Sequence, residues 1–401
     1  MGMDLDQARR LWSSYDREFR DDPYPAFAVL REHGAVHQVS LRMGDPAWVV
    51  VGYAEARAAL TDPRLVNDPD RVPGEHRSED PLSAAGLGRH LLAVDPPDHT
   101  RLRQLVGRAF TPRRIEALRP RVTDIVTSLL DEMAPHEQVE LLDAFAVPLA
   151  VTVICELLGV PGAERGTFRG WVKDLSAPAG DPAVVQRAAA AIGGYLSGLI
   201  AAKHGEPGDD LLSVLARAHA DGQLDAGEMM SSAFLMLVAG HETTVNLIGN
   251  GVVALLRHGQ WAALGEDLHR VPAAVEELLR FDGPVEHATV RWAREAMKLG
   301  GHDVPAGSRV FVILDAADRD PRRFGAPDRL DLRRDSGGHL AFGHGIHYCV
   351  GAPLARLEGA VAFRGLRSRF PQLSLAVASA ELRARPSLLL RSFVEVPVRL
   401  R

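Results

Sequence analysis

The chain has 401 residues, 46% of them hydrophobic and 24% charged, enough to bury a large core. A formal net charge of −6 implies no general attraction to nucleic acid, and two cysteines give no disulfide framework. The opening residues Met1 to Arg10 hold no apolar signal segment and no uncharged apolar run of about 18 residues stands out, so a cytoplasmic protein without a membrane span is expected.

In chain order, Val36–Val39 and Trp48–Val51 read as a hairpin around Gly44-Asp45-Pro46, and Tyr53–Leu60 as a short helix. Leu65–His90 is polar and rich in Pro and Gly; a loop of that length is usually functional or disordered. Asp95-Pro96-Pro97-Asp98 opens a helix. Arg113–Leu130 and Leu142–Leu158 are helical, the latter with Cys155 in its core face, and Gly162–Gly208 holds helices broken near Pro178 to Pro182. Ala226–Leu256 is one long apolar helix. Val290–Asp315 gives short strands with a turn at Pro305-Ala306-Gly307, Leu354–Phe370 is a helix, and Leu388–Val398 is a strand pair turning near Ser392 and Phe393. The fold class is therefore mainly α with small β-sheets (α+β), and length alone suggests two or three domains.

The chemistry is concentrated in Phe342-Gly-His-Gly-Ile-His-Tyr-Cys-Val-Gly351. Gly345 and Gly351 allow positive φ or close backbone approach on either side of Cys349. Pro353 suits the first turn of the following helix, which puts Cys349 just before a helix N-terminus, where a thiolate is stabilised. Such a loop can present one thiolate to a metal, although a buried structural Cys in a Gly-rich turn would look similar.

Three further groups stand out. Ala239-Gly240-His241-Glu242-Thr243-Thr244 interrupts the long apolar helix with residues that are locally unfavourable there, and a mid-helix break would mark a function. A threonine at such a place can also return its hydroxyl to the carbonyl one turn earlier. Glu277 and Arg280, at i and i+3, share a helix face and can pair. His99 and Arg103 share another face at i and i+4.

The pattern Phe342-x-x-Gly345-x-x-x-Cys349-x-Gly351, with Glu242-Thr243 and Glu277-x-x-Arg280 in order before it, resembles the cytochrome P450 family. The resemblance spans most of the chain and implies one catalytic domain over residues 1–401, with haem b held between a long distal helix and a proximal Cys loop. Cys349 would be the axial ligand, and Phe342, Gly345, Gly351, Ala239 and Gly240 would border the haem. His347, His99, Arg103 and Arg291 would pair with its propionates. Glu242 and Thr243 would be the acid–alcohol pair that delivers protons. Glu277 and Arg280 would form a structural network closed by Arg329, and Leu65–His90 would be a lid. The pocket would be lined by Leu87, Leu91, Leu92, Leu235, Ala239, Val285, Ala288, Thr289 and Phe393.

The implied activity is insertion of one oxygen atom of O2 into a C–H or C=C bond of a lipophilic secondary metabolite, such as a macrolide, polyketide or terpenoid. Electrons would come from NAD(P)H through a separate reductase and ferredoxin, since one spare cysteine cannot hold a cluster. Arg101, Arg108, Arg113 and Arg356 are candidates to meet an acidic ferredoxin. The enzyme is expected to act as a monomer. Two other readings stay open: a haem-thiolate protein that uses peroxide or performs other chemistry, and, more remotely, a zinc protein using His339, His344, His347 and Cys349.

Overall fold

The computed structural model describes residues 3–41, 45–73, 87–175, 182–387 and 389–401. The chain forms two compact units, each assembled from three separated segments. The first comprises Met1–Ser78, Asn246–Cys349 and Leu373–Val396, and the second Glu79–Val245, Val350–Gln372 and Pro397–Arg401.

The first unit is organised on a five-stranded sheet. Val36–Ser40 pairs antiparallel with Pro46–Val50, which runs parallel to Arg309–Val312; Arg291–Ala293 and Leu65–Val66 complete it. The central strands are buried on both faces, and their side chains separate with the period of two that a strand imposes. Trp48, Val50, Val310 and Val312 enter a core with Tyr53, Ala56 and Leu60 of helix Tyr53–Thr61. Val49, Val51, Phe311 and Ile313 enter another with Trp12, Phe19, Phe27 and Leu30 from the N-terminal helices. The expected hairpin and helix therefore form, though Gly44 lies outside the described residues. The turn at Pro305–Gly307 also forms, with Gly307 at φ 82° and its N–H on the Ala293 carbonyl at 2.7 Å.

The second unit is almost wholly helical. It holds Asp98–Gly107, Arg119–Met133, Val147–Leu158 (entered through a π-helical turn), Leu211–Ala220, the long helix up to Val245, and Ala352–Arg369. Close approach of two helices uses a glycine: a Cβ on Gly365 would lie 2.7 Å from Val126 Cγ1. Pro182–Gly205 is also a helix; its Ala183–Gly205 portion is long and apolar enough by length and composition to cross a membrane, with 22% of its window buried. It approaches that limit more nearly than the long central helix does.

Two expectations change. The C-terminal segment pairs with itself in another register than expected: Arg385 N–H donates to Ser392 O and Val394 N–H to Arg383 O, both at 2.9 Å, around an antiparallel Ala384–Phe393 bridge, so Ser392 and Phe393 lie on a strand and not in the turn, while Pro397–Arg399 pairs antiparallel with Gln138–Glu140. Sequence alternation identifies a strand but not its partner. Residues 176–181, which hold most of the break expected near Pro178 to Pro182, and residues 74–86 of the expected lid lie outside the described residues; the lid's N-terminal flank forms the strand Leu65–Val66 and a 3₁₀ turn at Pro69–Arg71.

Candidate active site

In the first unit the Cys349 loop is fixed by its main chain. The N–H of Cys349 donates to Phe342 O at 2.9 Å, and that of Gly343 to Leu340 O at 2.7 Å. Gly345 sits at φ 76°, and a Cβ there would lie 2.9 Å from the Leu60 carbonyl oxygen. Only glycine satisfies both demands. Phe342 is buried with its ring beside Tyr348 and His339. The turn Gly345–His347 buries His347, and Cys349 itself is exposed. Helix Ala352–Arg369 starts three residues later, with Pro353 in its first turn. Cys155, by contrast, is fully buried and its thiol is pushed up to about 12 by burial.

In the second unit the long helix is buried from Ala233 to Leu237 and opens at Ala239, which is exposed, with Gly240, Glu242 and Thr243 half-buried. The helix is continuous from Ala226 to Arg257, so the expected break is absent. The hydroxyls run alongside the ladder instead: Thr243 Oγ1 donates to Ala239 O at 2.9 Å, and Thr244 Oγ1 to Gly240 O at 3.4 Å. Gly240 has a packing role, since a Cβ there would lie 2.6 Å from Ile154 Cδ1. Leu235 is buried.

The Glu277 network forms with a different closing arginine. Glu277 and Arg280 are fully buried and paired, Nε–Oε2 2.7 Å and Nη2–Oε1 2.9 Å. The remaining contacts to the carboxylate come from Arg334 Nε at 3.1 Å, Ser336 Oγ at 2.6 Å and the Asp331 N–H at 3.0 Å. Burial raises the Glu277 carboxyl, but these bonds, led by Arg280, outweigh it and hold it below its ordinary value. Arg329 is not a member: its side chain is 75% exposed and, among the described residues, pairs with Asp331 at 4.0 Å and not with Glu277. Arg329, Arg333 and Arg334 lie within six residues of irregular backbone, where no period tells which one turns inward.

The propionate candidates are not open-surface charges. Arg291 and His347 are buried in the first unit; in the second, His99 is buried and Arg103 half-buried on one helix. Arg101 is committed elsewhere, to Glu228 at 2.6 and 2.9 Å, Asp98 at 3.1 Å and the Gln223 carbonyl at 2.7 Å. Among the pocket candidates, Leu87 and Leu92 are half-buried and Leu91 buried in the second unit, while Val285, Ala288 and Thr289 are half-buried in the first. Thr289 Oγ1 accepts from Asn67 Nδ2 at 2.9 Å. Phe393 is buried under the guanidinium of Arg257, 5.3 Å from its ring centre, at the last residue of the long helix.

The described residues contain no group of three His, Cys, Asp or Glu arranged to hold a metal ion. His339 pairs with Glu276 and His344 with Arg57, which removes the zinc reading. A cavity of about 550 Å³ among Gln260, Glu266, Arg270, Arg329 and Arg333 touches none of the other candidates. Within the first unit, Cys349 offers an exposed sulfur on a loop held by main-chain hydrogen bonds, and one thiolate so presented is a donor that fits a haem iron.

A family model described as Cytochrome P450 matches residues 262–372. The chain is 50% identical over 392 residues to the cytochrome P450 monooxygenase PikC of Streptomyces venezuelae, covering 96% of this chain and 92% of that protein. It is 45% identical to the 6-deoxyerythronolide B hydroxylase of Saccharopolyspora erythraea, covering 95% and 97%. The solved structure of the tirandamycin C-bound P450 monooxygenase TamI superposes with a TM-score of 0.88 at 45% identity, covering 96% of this chain and 99% of that one. The chain belongs to the cytochrome P450 family and is a haem-thiolate monooxygenase, an oxidoreductase that incorporates oxygen from O2.

Proposed function

We propose that residues 1–401 act as one catalytic domain that oxidises a lipophilic secondary metabolite of the macrolide or polyketide kind, or a terpenoid. The observation that carries this is the near-complete coverage of a relative named as the hydroxylase of 6-deoxyerythronolide B and of the P450 monooxygenase solved with tirandamycin C bound, together with mostly small apolar pocket candidates. When bound, the haem supplies O2 activation and oxygen transfer.

The rest falls to the chain's own residues. Cys349 Sγ holds the iron as a thiolate. Arg291 and His347 in one unit, and His99 and Arg103 in the other, hold propionate carboxylates; the arginines suit this because their planar fork is always charged. The half-exposed Glu242 carboxylate takes up protons and passes them through the Thr243 hydroxyl at Oγ1. The apolar side chains exclude water and orient the substrate. Electrons come from NAD(P)H through a reductase and an acidic ferredoxin, which meets exposed Arg108 and Arg113 and half-buried Arg356. The enzyme works in the cytoplasm as a monomer.

Screening macrolactones, linear polyketides and terpenoids for a low- to high-spin shift, followed by product analysis with ferredoxin and reductase, tests the substrate class. A shift and a singly oxygenated product from one of these groups is expected. Shifts and turnover only with short fatty acids would overturn it.

A further inference from the structure

Asp318 is fully buried, yet its side chain has one clear task. Its Oδ1 accepts the N–H of Leu340 at 2.7 Å. Leu340 in turn accepts from Gly343 at 2.7 Å, and the next link, Cys349 N–H to Phe342 O, is 2.9 Å. The backbone of Asp318 is itself held. Its N–H donates to Leu314 O at 2.8 Å, and its carbonyl accepts from Arg280 Nη1 at 2.9 Å, the same Arg280 that is locked on Glu277.

The neighbours of Asp318 divide the work. Arg319 donates twice to the Phe281 carbonyl at the end of helix Val271–Phe281, and Asp320 Oδ2 accepts the Tyr53 N–H that starts helix Tyr53–Thr61. His339 braces the same stretch, its Nδ1 accepting from the Ala341 N–H at 3.2 Å and its Nε2 facing Glu276 at 3.1 Å. Each residue of Asp318-Arg319-Asp320 thus ties a different element to one point.

We infer that Asp318 is a positioning residue for the thiolate loop, acting through the Leu340 N–H to set the turn that presents Cys349. A carboxyl in this place is costly. Burial pushes it up to about 7, against the lowering effect of His339, the Leu340 bond and Arg280, and its Oδ2 has no partner. A side chain kept only for packing would have no use for an acceptor there, whereas the buried Leu340 N–H at the root of the loop needs one.

The inference rests on Cys349 being the thiolate, and the experiment reads the two separately. Amide hydrogen exchange of residues 339–342 and the carbonyl spectrum of the reduced holoenzyme are compared for wild type, D318A and D318N. Asparagine keeps an oxygen acceptor of the same reach. In D318A, exchange at Leu340 should be on the order of tenfold faster, with part of the thiolate signature lost, while D318N stays near wild type in both. Wild-type exchange and spectrum in D318A, or equal impairment in D318N, would overturn the inference. If D318A does not fold, Leu340 must still be among the slow-exchanging amides of the wild type, and fast exchange there overturns it. A wild type lacking the thiolate band would count against Cys349, and exchange would then decide on Asp318 alone.

Discussion

The hydroxyl of Thr243 donates to the carbonyl of Ala239, 2.9 Å away, in a helix whose ladder is unbroken. At rest the hydroxyl is held by its own helix, so relaying a proton requires it to turn or share that bond. Thr243→Ala should leave haem content unchanged but lower product per NAD(P)H by roughly ten- to a hundredfold, with peroxide rising in step, since a positioned proton relay contributes about 10² to 10⁴. Thr243→Ser should recover most of the coupling. Product and peroxide titration against NAD(P)H consumed checks this, and unchanged coupling in the alanine variant would remove Thr243 from proton delivery.

The exchange of Arg329 for Arg334 in the Glu277 network makes a second expectation. Glu277→Ala strands Arg280, which has no exposed surface, and removing one partner of a buried pair costs about 3–5 kcal/mol. Arg334→Ala leaves Arg280 in place and should cost less, about 1–3 kcal/mol. Arg329→Ala, on an exposed side chain, should stay within about 0.5 kcal/mol of wild type. Denaturant unfolding of the three variants orders them, and a large effect at Arg329 with none at Arg334 would contradict the structure.

A buried acid sets a pH dependence. Burial pushes Glu286 up to about 7 from 4.5, opposed by the Arg391 charge and the Tyr15 hydroxyl at 3.2 Å. The folded value lies above the unfolded one, so the contribution of Glu286 is fully present below about pH 4.5 and is lost as pH rises through about 7. The size is on the order of 3 kcal/mol. Glu286→Gln removes this slope, so the variant should gain stability relative to wild type between about pH 5 and about pH 8. Thermal unfolding at both pH values checks it, and a constant difference would show that Glu286 ionises normally.

Much of this was legible beforehand, and the reasons are physical. Gly345 announces the loop because few residues tolerate its φ of 76°, although Gly351 takes an ordinary φ of −83°, and Glu277-x-x-Arg280 announces its face because helical spacing is fixed. Arg334 was not legible: it reaches Glu277 from irregular backbone 57 residues on, where spacing carries no direction. Asp318 hides for the same reason. The pairing of Pro397–Arg399 with Gln138–Glu140 is non-local, so alternation along the C-terminal segment could not show it. Arg101 reads as a surface charge until Glu228 is found across from it.

That last pair separates two effects of charge. Arg108→Glu with Arg113→Glu, both exposed, should slow reduction by ferredoxin by about ten- to a hundredfold at low salt and leave unfolding unchanged. Arg101→Glu should instead destabilise the fold, because Glu228 is buried and loses its partner. Stopped-flow reduction and thermal unfolding distinguish them; equal reduction rates in the double variant would place the ferredoxin elsewhere.

The central claim is that Cys349 ligates the iron as a thiolate. The most direct measurement is the difference spectrum of the dithionite-reduced holoenzyme with and without carbon monoxide, for wild type and Cys349→Ser. The wild type should show a Soret band strongly red-shifted from that of an imidazole-ligated complex, and the variant should lose it. A wild type that binds haem but gives an ordinary carbonyl band, or a serine variant that keeps the red-shifted one, would contradict the assignment.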